Sequence, residues 1–128
     1  MFYSYKNIKI HYQIIGKGKP IIMLHGLNCD LNLMKCCMEN IFKNKKGYKR
    51  IYIDLLGMGK SESSPEYASS NKILNILLDF INDIVSENFL IIGESYGGYL
   101  SRGILSNMHS KIDGMVLLCP VVIPIHAK

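Results

Sequence analysis

Four short runs of almost unbroken apolar residues recur along the chain, at positions 21–24, 50–53, 89–92 and 115–118. A strand with one wet face alternates apolar and polar residues, whereas a strand buried on both faces reads as a solid apolar run. Helical patterns stand between these runs. Residues 32–42 read as a helix with Leu33, Cys37 and Ile41 four apart on one face. Ile73, Ile76, Leu77, Phe80, Ile81, Ile84 and Val85 mark one face of a second helix, and Ser69-Ser70-Asn71 before it offers N-cap chemistry. Residues 96–107 form a third. Two strand-like segments, 2–5 and 9–15, open the chain around a turn at Asn7, and Asp113-Gly114 reads as a turn before the last run. The pattern predicts an α/β fold: a mostly parallel central sheet with helices on both faces, about six strands, opened by an antiparallel pair. No repeat or linker divides it, so residues 1–128 read as a single domain.

A hydrophobic fraction of 48% with 20% charged residues excludes a disordered or collagen-like chain. No stretch approaches the roughly 18 apolar residues of a membrane span. The opening Met1–Lys6 segment lacks a basic region followed by an apolar one, so the expected location is cytoplasmic. Cys29, Cys36, Cys37 and Cys119 show neither CxxC nor zinc spacing and read as reduced thiols, with no metal or cofactor implied. The net charge of +5 is densest at residues 43–50, between a helix and a strand, where a solvated turn is expected. No second basic cluster supports it, which argues against a nucleic-acid partner.

Chemistry concentrates at three strand ends. Gly93-Glu94-Ser95-Tyr96-Gly97 lies between the run 89–92 and a helix, the setting of a nucleophile elbow. There a strand turns straight into a helix, the serine adopts a strained backbone, and glycines two residues away on each side avoid collision. Helix N–H groups beside it, including that of Tyr96, can hold an oxyanion. Gly98 lets the helix pack closely. His25-Gly26-Leu27 follows the run 21–24 at the edge where ligands meet an open α/β sheet. The N–H of Leu27 would complete the oxyanion hole, and the His25 ring reads as a packed structural group. Asp54 to Ser61 follows the run 50–53. Its Gly59-Lys60-Ser61 imitates a phosphate loop, but that motif needs glycine where Asp54 stands, and no helix follows at once.

His25-Gly26, Asp54-x-x-Gly57-x-Gly59-x-Ser61 and Gly93-Glu94-Ser95-Tyr96-Gly97-Gly98 together resemble the first half of the α/β-hydrolase family, and the resemblance covers essentially the whole chain. It implies Ser95 as nucleophile, Leu27 and Tyr96 as oxyanion N–H donors, and Asp54 with its glycines as loop-shaping residues. It implies a serine hydrolase of the esterase, lipase or peptidase kind, acting on a small acyl substrate through an acyl-enzyme. In this family the acid and the histidine base follow the nucleophile, the histidine by more than a hundred residues. Only 33 residues follow Ser95 here, with His109, His126 and a single acid, Asp113. His109 falls near the end of a helix, roughly 20 Å from its start. His126 lacks an evident acid to orient it. The expectation is therefore an N-terminal part of the domain, with later strands, lid and catalytic residues absent. Such a chain is inactive alone, completed or self-associated through an exposed edge strand, or a catalytically dead partner-binding half-domain.

Overall fold

The computed structural model describes residues 1–123. Strands β1 (Phe2–Tyr5) and β2 (Ile8–Ile15) form an antiparallel hairpin, and β2 pairs antiparallel with β4 (Tyr48–Ile53). Beside β4 lie β3 (Lys19–Leu24), β5 (Phe89–Glu94) and β6 (Ile112–Leu118), all parallel. The order β1-β2-β4-β3-β5-β6 is the mostly parallel sheet with an antiparallel pair that the sequence pattern predicts.

Side chains alternate across the sheet, and each set has its own cover. Ile21 and Met23 of β3, Tyr52 of β4 and Ile92 of β5 pack against Leu31, Met34 and Met38 of α1 (Leu31–Phe42). Ile22, Leu24, Ile51, Ile53, Phe89 and Ile91 face the opposite way. They meet Ile73, Ile76, Leu77, Phe80 and Ile81 of α2 (Ser70–Ile84), together with Leu100 and Ile104 of α3 (Tyr96–Met108). Burying a side chain of this size contributes about 1.5–3 kcal/mol. The Ser69 hydroxyl caps α2 by accepting from the Lys72 N–H.

Two expectations are corrected. The Leu33, Cys37 and Ile41 stripe of α1 faces solvent, with Leu33 38% and Ile41 51% exposed. The inward stripe is Leu31, Met34 and Met38. Glu39 fixes that orientation: its carboxylate accepts from Arg50 Nη2 at 2.5 Å, Arg50 Nε at 2.9 Å and the Tyr52 hydroxyl at 2.6 Å, all on β4. Asp113-Gly114 is no turn. β6 begins at Ile112, and Phe89 pairs with Ile112 while Leu90 pairs with Gly114, so Asp113 is the extra residue of a bulge. Its carboxylate is held by Lys19 and by Asn88 Nδ2, at 3.1 Å from the latter.

The parallel ladders align Leu24 with Ile53 and Gly93, and Gly93 with Leu117. The loops that begin at His25, Asp54, Ser95 and Cys119 therefore leave one edge of the sheet together. Among the described residues, no helix is long and apolar enough to cross a membrane.

Candidate active site

β5 ends at Glu94 and α3 begins at Tyr96, which leaves one residue to turn the chain. Ser95 does so at φ 52° and ψ −114°, a conformation that costs a residue with a side chain about 1–3 kcal/mol. Its backbone groups over-determine it. The Ser95 N–H donates to Leu118 O at 2.9 Å, and its carbonyl accepts from Gly98, Tyr99 and Val121 N–H at 3.0, 3.2 and 3.0 Å. A Cβ on Gly93 would collide with the Ser101 hydroxyl and the Gly97 carbonyl, and one on Gly97 with the Leu24 and His25 carbonyls. A Cβ on Gly98 would come within 2.9 Å of Pro120. Three glycines are thus set by close approach of backbone to backbone or side chain.

The loop after β3 packs directly on this elbow. A Cβ on Gly26 would collide with the Glu94 carboxylate and lie 3.2 Å from Ser95 Cβ. The chain then bends back, with Asn28 at φ 59° and the Cys29 N–H donating to Gly26 O at 3.3 Å. Leu27 sits at the tip, 57% exposed. Among the described residues, neither the Leu27 N–H nor that of Tyr96, first residue of α3, is taken by another acceptor. Leu27 and Tyr96 line one cleft of about 260 Å³.

His25 and Asp54 stand behind the cleft. His25 is fully buried; its Nε2 accepts from the Leu55 N–H at 3.0 Å, so its Nδ1 carries the proton and donates to Gly26 O at 2.7 Å. Burial pushes its pKa below the ordinary histidine value and keeps the ring neutral. The buried Asp54 carboxylate accepts from Leu31 N–H at 2.7 Å and Lys60 N–H at 2.9 Å, and lies 2.7 Å from His11 Nδ1. Ser61 Oγ donates to Asp54 O at 2.7 Å and accepts from His11 N–H at 2.9 Å. Gly59, at φ 55°, leaves no room for a Cβ beside that carboxylate. The Asp54-to-Ser61 loop is wrapped around its own aspartate, with α1 and β2 tied to it.

Three histidines fall among the described residues, and none is placed as a base for Ser95. His11 is joined to Asp54, His25 bonds two backbone groups, and His109 opens a 3-10 turn after α3. His126 lies outside the described residues. Asp113 is at the N-terminal end of β6, the opposite edge from Ser95. Among the described residues no three His, Cys, Asp or Glu side chains converge on a metal site.

Two features escaped the sequence reading. Among the described residues, Glu94 Oε2 is buried without a hydrogen-bond partner, beside Gly26 and next to Ser95 in the chain. The Tyr96 phenol lies 2.7 Å from the Ser70 hydroxyl. Neither has a local sequence signature, since both depend on how separate loops dock.

Comparison with known proteins agrees with this geometry. The family model described as the alpha/beta hydrolase fold matches residues 19–127. Among curated proteins, the chain is 29% identical over 123 residues to a cis-3-alkyl-4-alkyloxetan-2-one decarboxylase of Shewanella oneidensis, covering 91% of the chain and 37% of that relative. Among solved structures it is similar to an alpha/beta superfamily hydrolase from Oenococcus oeni PSU-1, at 37% identity and TM-score 0.82, covering 96% of this chain and 45% of that one. An esterase from Exiguobacterium antarcticum superposes at 25% identity and TM-score 0.81, covering 90% and 42%. The chain spans about two-fifths of the length of the curated relatives it matches.

Proposed function

The chain belongs to the α/β-hydrolase fold family, and on that premise we propose that it carries the nucleophile half of a serine hydrolase site for small acyl substrates. The observation that carries the reading is Ser95 at φ 52°, held between two glycines that admit no side chain, beside a cleft lined by Leu27 and Tyr96. Ser95 Oγ attacks the acyl carbonyl, and the bond from that carbon to the leaving group breaks as the acyl-enzyme ester forms. The base hands the serine proton to the leaving group, and water then hydrolyses the ester. The Leu27 and Tyr96 N–H groups face the oxygen as it gains charge; removal of one such donor in related chemistry costs about 10²–10³ in rate. The serine proton passes to a general base supplied from outside residues 1–123, and neither metal nor cofactor is called upon. A relative's decarboxylase name beside another's esterase name is a reminder that the fold does not choose the reaction.

The test is covalent. A fluorophosphonate probe on the folded chain should add one label, found on the Ser95 peptide and absent from Ser95→Ala. A folded chain that stays unlabelled removes the reading in which this chain activates Ser95 by itself. It would leave the second one, a half-domain that binds a complementing chain or another copy along β6. That reading is favoured by the position of β6 at the end of the sheet, paired among the described residues with β5 alone.

A further inference from the structure

Two clefts meet at the first residue of α2. One, of about 260 Å³, runs from Leu27 and Tyr96 to an apolar wall of Leu56, Met58 and Ile73. The other, of about 240 Å³, lies between α2 and α3 and is bordered by Leu74, Tyr99 and Gly103. Ser70 lines both. Its hydroxyl is bonded to the Tyr96 phenol at 2.7 Å, and the Tyr96 ring is stacked on Tyr99, with centroids 6.0 Å and planes 23° apart. α3 is seated closely on α2 there: a Cβ on Gly103 would come within 2.9 Å of Leu74. Ser70, common to both clefts, and its bond to the Tyr96 phenol stand where the two meet.

We propose that the Ser70–Tyr96 bond is the back wall of an acyl pocket and sets the largest acyl group the site accepts. The proposal rests on the reading of Leu27 and Tyr96 as oxyanion donors, since a carbonyl held by them directs its chain into the first cleft. No charged side chain lines that cleft, and Leu56, Met58, Ala68 and Ile73 outnumber the hydroxyls of Ser63, Ser64 and Ser70, so the group we propose for it is a neutral, mainly aliphatic chain. A cavity of about 150 Å³ holds a six-carbon ring, which scales the first cleft to about ten carbon-sized atoms. Release of the Tyr96 ring from Ser70 opens the second cleft and nearly doubles the space.

The experiment is a titration of Ser95→Ala protein with saturated carboxylates from hexanoate to tetradecanoate, followed by NMR at the Leu27 and Tyr96 amides and the Ile73 and Leu74 methyls. No turnover is needed. Affinity should rise about fourfold per added methylene, then level off near decanoate. With Ser70→Ala added it should keep rising to tetradecanoate, and the Leu74 methyls should shift only then. Tyr96→Phe, which keeps ring and backbone, should give the same extension if Ser70→Ala folds poorly. An identical cut-off with and without the Ser70–Tyr96 bond overturns the proposal, as does binding that never moves Ile73. Labelling of Ser95 fails or succeeds independently. An unlabelled serine with a shifted cut-off removes activation of Ser95 within this chain and keeps the wall, and the reverse result does the opposite.

Discussion

His25 is the residue whose role was most open to confusion, because a histidine near the proposed nucleophile invites a catalytic reading. Both of its ring nitrogens are spent on backbone, joining the Gly26 loop to the loop after β4. The consequence for stability has a definite sign. Burial lowers its folded pKa, so the unfolded chain binds the proton more readily, and stability falls as pH drops below about 6.5. The carboxylates with depressed pKa values, Glu39 and Asp113, withdraw their contributions only at more acidic pH. Urea midpoints between pH 7.5 and 5 should therefore decline for the native chain. His25→Gln should start lower by about 1–3 kcal/mol and show a flatter decline; equal slopes would remove the assignment. At this scale the three motifs were legible because each is a local solution to a tight turn. The unpartnered Glu94 oxygen and the Ser70–Tyr96 bond were not, since Gly26 meets Glu94 across 68 positions and Ser70 meets Tyr96 across 26.

At the scale of elements, strands buried on both faces announced themselves, while α1 announced its extent but not its buried face. α1 carries two apolar stripes, Leu33-Cys37-Ile41 and Leu31-Met34-Met38, and periodicity alone cannot rank them. Glu39 decides between them through Arg50 and Tyr52, a contact that exists only once β4 is in place. Met34→Ala should then cost about 2–5 kcal/mol in urea denaturation, while Ile41→Lys should stay within about 0.5 kcal/mol. The opposite ranking would place the helix the other way round. Asp113-Gly114 misled for a related reason: the pair is common in turns, but strand pairing with β5 absorbs it as a bulge.

For the whole molecule, the open side of β6 is the feature that bears on assembly. Val116 is 49% exposed there, beside backbone groups with no strand to pair with among the described residues. If β6 is where copies meet, light scattering should report a mass above 14.5 kDa that falls to the monomer value in Val116→Lys. A native chain that is already monomeric at high concentration would end the self-association reading. The tie between His11 and Asp54 spans 43 positions, and that between His25 and Leu55 spans 30. Such distant pairings repay their loop-closure entropy late. Both partners follow β4 in the chain, so a ribosome must deliver β4 before the first histidine finds its own.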